Sequence, residues 1–243
     1  MCKSITCKNI FLAFCLTCAL AFTGVAKDYK FTKGISYRPD AEDDYQKQMC
    51  KVDVAWIEGN QNSPVVVWFH GGGLTGGSRE LPSQLQRDNI VVVGVEYRLS
   101  PKVDVDAIID DSAAAVAWTF DHIAEYGGSS TKIYIAGHSA GGYLVNMVGL
   151  DMNRLKKYDK NANQLAGIIP FSGHAITHFN TREKMGMPAY QALIDSTAPL
   201  FYVRKDAPPI LILSGDREKE LYGRYEETAF FWRMLKLAGH PDV

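Results

Sequence analysis

The strongest constraint on this chain is five residues long. Gly137-His138-Ser139-Ala140-Gly141 stands between a short apolar run, Ile133-Tyr134-Ile135-Ala136, and a stretch of helical character that starts near Ala140. Gly-x-Ser-x-Gly alone recurs by chance, because only three of its five positions are fixed. Between a strand and a helix it has a physical meaning: the glycines permit a tight, strained turn that projects the Ser139 hydroxyl at the head of a sheet. The helix start behind it supplies backbone N–H groups and a partial positive charge. Ser139 is therefore the candidate nucleophile.

The same grammar of strand, turn and helix repeats along the chain. Pro64-Val65-Val66-Val67-Trp68-Phe69 and Ile90-Val91-Val92-Val93-Gly94-Val95 are apolar at consecutive positions, the mark of strands buried on both faces of a parallel sheet covered by helices. Residues 103–126 read as a helix stopped by Gly127-Gly128, residues 140–153 as a second, and residues 226–237 as a third that Ala238-Gly239 ends. Residues 133–136, 165–171 and 209–213 read as further strands, and 49–57 as an alternating strand-like run. The expected fold class is α/β, a mostly parallel sheet with helices on both faces. Residues 172–208 read as irregular, long for a connection, and are expected to form a lid or substrate-binding insertion.

The 243 residues, 47% hydrophobic, suffice for one core, and no repeat or linker divides them. Lys plus Arg number 26 against 27 Asp plus Glu, a net charge of -1, so no basic surface points to a nucleic-acid partner. Residues 1–26 have the pattern of a secretory signal peptide: Lys3 and Lys8, an uncharged run over 10–22, and Gly24-Val25-Ala26 before Lys27. That run falls short of the roughly 20 residues that span a bilayer, so the protein is expected to be exported, secreted or periplasmic, with residues 27–243 as the folded domain. Cys15 and Cys18 lie in the run, but bulky Phe14 before Cys15 argues against lipid attachment. With the leader removed, Cys50 has no cysteine to pair with and reads as a small packed residue.

A second constellation follows the first apolar strand: His70-Gly71-Gly72-Gly73. Acyl transfer builds negative charge on the former carbonyl oxygen, and two inward-facing backbone N–H groups lower that barrier by a few kcal/mol. Glycines let the chain approach the substrate without side-chain obstruction. The oxyanion hole is assigned to Gly72, Gly73 and the N–H of Ala140. His174 and His178 are four apart, as two metal ligands on a helix would be, but their segment holds Gly173 and no carboxylate, so no metal is expected there.

His70 to Gly73, then Tyr97-Arg98-Leu99-Ser100-Pro101, then Gly137 to Gly142, in that order, resemble the α/β-hydrolase fold, and within it carboxylesterases similar to hormone-sensitive lipase and to bacterial feruloyl and acetylxylan esterases. The resemblance spans residues 65–239. It implies a Ser-acid-His triad in that chain order, with no metal and no organic cofactor. The acid is implied after the strand at 209–213, in Ser214-Gly215-Asp216-Arg217-Glu218; Glu218, third after Gly215, matches many similar hydrolases, and Asp216 is the alternative. The histidine is implied after one more strand. His240, the only histidine past the acid, sits in a helix-ending turn where a packing role is expected, so the base is expected beyond Val243 and the sequence reads as C-terminally incomplete.

What the resemblance implies is a serine esterase for short acyl or aromatic esters, including acetyl or feruloyl groups on plant polysaccharide, with a small-molecule or oligosaccharide ester as partner. Phe179, Met185, Met187, Tyr190, Phe201 and Tyr202 in the 172–208 stretch are candidates for recognising it. An amidase or peptidase on the same fold and a non-catalytic binding protein on a hydrolase scaffold are the alternatives.

Overall fold

Strands that are apolar on both sides need cover on both sides, and the centre of the sheet is where they go. The computed structural model describes residues 28–243; the expected leader, with Cys15 and Cys18, lies outside the described residues. In chain order the elements are β1 (Lys30–Ser36), α1 (Asp44–Met49), β2 (Lys51–Trp56), β3 (Ser63–Phe69), β4 (Val91–Val95), α2 (Val105–His122), β5 (Gly128–His138), α3 (Ala140–Leu150), α4 (Met152–Lys156), β6 (Gly167–Phe171), α5 (Phe179–Lys184) and α6 (Arg224–Leu237), with short 3-10 turns between some of them.

The six strands form one mixed sheet in the order β1-β2-β4-β3-β5-β6. β4, β3, β5 and β6 run parallel, and β1 and β2 join antiparallel at one side. All five residues of β4, four valines and Gly94, are buried, as a strand without a polar position requires. The fold class read from the sequence is the one observed, a mostly parallel sheet with helices. α2 opens on the Asp104 side chain, which accepts the N–H of Ala107 at 2.8 Å, and packs beside α3 against the sheet. Every residue of α3 is buried. No helix among the described residues is long and apolar enough to cross a membrane.

Several boundaries differ from the sequence reading. The run at 49–57 becomes β2, paired with β1 and β4, but Val52 to Ala55 are buried at consecutive positions and not alternately, because both faces of the sheet are covered there. The first helix ends at His122 and tightens into a 3-10 turn over Ile123–Tyr126. The second stops at Leu150, where the Asp151 side chain caps α4. Residues 209–213 make only isolated parallel bridges, Ile168 with Ile210 and Phe171 with Leu213. The stretch 172–208 is not wholly irregular: it holds α5 and a 3-10 turn at Pro199–Tyr202.

The Tyr97-Arg98 pair ties the sheet to α2. Asp111, fully buried on α2, accepts a two-pronged contact from Arg98, Nε at 2.7 Å and Nη2 at 2.8 Å, and also the Arg98 backbone N–H at 3.2 Å. This carboxylate holds the Arg98 guanidinium more firmly protonated than usual through those hydrogen bonds. Cys50 is buried against the same network; burial, then the charge of Asp111, pushes its thiol up to about 12. Removing one member of such a buried pair strands the other. Asp111→Ala is expected to lower the unfolding free energy by about 3–5 kcal/mol, measured by urea titration.

Candidate active site

The turn after β5 is built by steric exclusion. A Cβ on Gly141 would lie 2.0 Å from the carbonyl oxygen of Phe69, and one on Gly137 would lie 2.6 Å from the Gly141 carbonyl. Only glycine permits these approaches, which press the start of α3 onto the end of β3. Between them Ser139 takes φ 55° and ψ -112°, a region that L-residues rarely occupy. Its N–H donates to the Phe171 carbonyl at 2.8 Å and its carbonyl accepts the N–H of Tyr143 at 3.0 Å. The backbone is thereby fixed at both ends, and the partly exposed Ser139 side chain stands at the C-terminal end of the parallel strands, where open α/β sheets bind ligands.

The glycine loop after β3 lies directly beside this turn. A Cβ on Gly71 would stand 3.5 Å from the Ser139 Cβ. Gly72 and Gly73 have φ +115° and +63°, which turns the loop tightly enough for the Gly72 carbonyl to accept the N–H groups of Thr75 and Gly76. Among the described residues no backbone carbonyl takes the N–H of Gly72 or Gly73, and that of Ala140 opens α3, where no intrahelical acceptor exists. His70 anchors the loop. Its buried ring lies flat on Tyr97, with centroids 4.3 Å apart, its Nε2 is 3.2 Å from Glu96 and its Nδ1 2.7 Å from the Gly71 carbonyl. The Tyr97 hydroxyl donates to the His70 carbonyl at 2.7 Å.

The two carboxylates expected to serve as acid, Asp216 and Glu218, lie on the exposed turn after residues 209–213. Asp216 accepts the N–H of Glu218 at 3.0 Å, and neither carboxylate touches a histidine among the described residues. The carboxylate that turns inward is Glu220, which the sequence reading missed. Its Oε1 accepts from Ser172 Oγ at 2.5 Å and from the Gly215 N–H at 2.7 Å, and these bonds clasp the acid-bearing turn to the loop after β6. Hydrogen bonds outweigh partial burial and hold Glu220 below the usual carboxylate range.

No histidine among the described residues hydrogen-bonds to Ser139. His240 is buried; its Nδ1 accepts the Asp242 N–H, so Nε2 donates to the carbonyls of Ala207 and Pro208. His138 is exposed and His122 half-buried, its Nδ1 2.9 Å from Glu125. His174 and His178 are fully buried, and here the structure corrects the sequence reading that found no carboxylate for them. Glu227 on α6 meets His174 Nδ1 at 3.0 Å, while Arg224 Nη2 approaches Nε2 at 2.7 Å. Arginine can only donate, so Nε2 accepts, Nδ1 carries the proton and the ring is neutral. Arg224 also donates to the Ser172 carbonyl through Nη1. His178 caps α5 by accepting the Asn180 N–H at Nδ1; burial, then the charges of His174, Arg224 and Arg182, push it well below the usual histidine value. No group of three or more His, Cys, Asp or Glu among the described residues has a geometry that would hold a metal.

The profile of the BD-FAE family matches residues 53–223. The carboxylesterase NlhH of Mycobacterium tuberculosis is 44% identical over 88 residues, 34% of this chain and 28% of that relative. The esterase LipQ of the same organism is 26% identical over 208 residues, 77% of this chain and 49% of LipQ. The chain thus spans less than half the length of these curated relatives. Among solved structures, the truncated form of a carbohydrate esterase from gut microbiota superposes with a TM-score of 0.72 over 90% of this chain and 87% of that one, at 16% identity. At that identity the likeness establishes the α/β-hydrolase fold.

Two buried neutral histidines make stability depend on pH. Both have folded values below the ordinary histidine value, so below about pH 6.5 the unfolded chain binds more protons and stability falls as pH drops. The melting temperature is expected to fall between about pH 7.5 and 5.5, and by less in His178→Asn, which keeps the helix cap and removes one titrating ring. Calorimetry at both pH values checks this.

Proposed function

The chain belongs to the BD-FAE family, and on that premise we propose that it is a serine carboxylesterase with Ser139 as nucleophile. The observation that carries this reading is the strained Ser139 turn, set against a glycine loop whose N–H groups have no backbone acceptor among the described residues. Oγ of Ser139 attacks the ester carbonyl carbon while a histidine base takes its proton. The C–O π electrons move to the carbonyl oxygen, and the oxyanion is received by N–H groups of Gly72, Gly73 and Ala140. Collapse expels the alcohol, which takes the proton back from the imidazolium. Water then repeats the sequence on the acyl-serine and releases the acid. Glu218, with Asp216 as the alternative, orients the histidine, and Glu220 keeps their turn in place.

Within that class the reading extends to short acyl or aromatic esters, acetyl or feruloyl groups of plant polysaccharide among them. The fold neighbour described as a carbohydrate esterase supports it, and the leader-like pattern of residues 1–26 supports export to where such polymers are met. The metal-free chemistry needs no cofactor.

The full-length protein is expected to hydrolyse p-nitrophenyl acetate and to release acetate from acetylated xylan, but to leave p-nitroacetanilide intact. Ser139→Ala is expected to lower kcat by at least about a thousandfold. Undiminished turnover in Ser139→Ala, or faster cleavage of the anilide, refutes the assignment.

A further inference from the structure

One aromatic ring stands where the size of a bound ester group would be decided. Phe179 is the first residue of α5 and is half-buried. Its Cζ lies 3.2 Å from the position a Cβ would take on Gly73, so the ring edge abuts the backbone of the glycine loop. At Gly71, the start of the loop, the neighbour is the Ser139 turn, 3.5 Å from the position of an added Cβ. The nucleophile thus stands beside the first glycine of the loop and Phe179 beside the third, so a group lying along Gly72 and Gly73 from Ser139 runs toward the Phe179 ring.

The ring is also held from behind. His178 packs against it, tilted by 30° at a centroid distance of 4.5 Å, and His174 meets it at 5.5 Å and 59°. Neither histidine can retreat. His174 is fixed between Glu227 and Arg224, and His178 caps α5 while packing at 5.3 Å against the ring of Tyr143, whose hydroxyl donates to the Thr197 carbonyl at 2.6 Å. A side chain backed by buried, hydrogen-bonded rings resists displacement by a long substrate, because moving it would open the packing of a close-packed interior.

We propose that Phe179 is the specificity-determining residue that limits the size of the ester group lying against the glycine loop, and so restricts the protein to short groups at that position. The inference rests on the esterase reading above and adds to it the residue that sets the size limit. Two substrate series distinguish the parts of the ester: p-nitrophenyl acetate, butyrate, hexanoate and octanoate vary the acyl chain, and methyl, butyl and octyl acetate vary the alcohol.

In the full-length protein Phe179→Ala is expected to raise the ratio of kcat/KM for the longest over the shortest member by about tenfold or more in one series. Phe179→Trp is expected to lower the same ratio, in the same series. The series that responds identifies the part of the ester beside the ring. Ratios within about twofold of the parent for both variants in both series, with hydrolysis that still needs Ser139, overturn the inference while leaving the esterase reading intact. An absence of any hydrolysis dependent on Ser139 in the parent overturns the esterase reading, and this inference with it.

Discussion

Where the start of α3 crosses the end of β3, main chain meets main chain with no side chain between, and the rest of the site depends on that contact. Gly141 lies so close to the Phe69 carbonyl that a single added carbon would sit 2.0 Å from the oxygen. Because β3 continues into the glycine loop and α3 begins directly after Ser139, pressing one onto the other brings the hydroxyl and the loop N–H groups together without any side chain acting as intermediary. The positive φ of Ser139 is the local cost of about 1–3 kcal/mol, and the fully buried α3 holds it in place.

Backbone exclusion of this kind is written plainly in a sequence, which explains what was legible. Val91 to Val95 and Val65 to Phe69 announced central parallel strands because burial on both faces leaves no polar position. Gly137 and Gly141 announced the turn because nothing larger fits. The antiparallel side was harder to read. β1 carries Lys30, Thr32 and Lys33 and is largely exposed, so its place in the sheet comes from pairing with β2 and not from its own pattern. Residues 209–213 have a strand's composition and reach only isolated bridges.

The polar residues around the site were legible only in part, and the reason is distance along the chain. Glu220 lies 48 residues from Ser172, Glu227 lies 53 from His174, and Arg224 lies 50 from His174. No local spacing encodes such meetings. Glu218 and Asp216 were singled out from the turn they occupy, and the structure keeps them exposed on it; Glu220, two residues on, points the other way and secures that turn. The pair Arg98 and Asp111 shows the same limit, since the Tyr97-Arg98 motif gave no sign that Asp111 of α2 was its partner. Carboxylates and guanidinium groups behind the elbow thus hold loops that the glycines alone would leave loosely placed.

Cys50 closes α1 fully buried, and burial pushes its thiol up to about 12, so the protonated form prevails at neutral pH. A thiolate is the species that attacks disulfides and is captured by peroxide. Kept as a thiol and out of contact with solvent, this sulfur is withheld from both as long as the domain stays folded, so among residues 28–243 no cysteine is offered for scrambling with neighbouring chains.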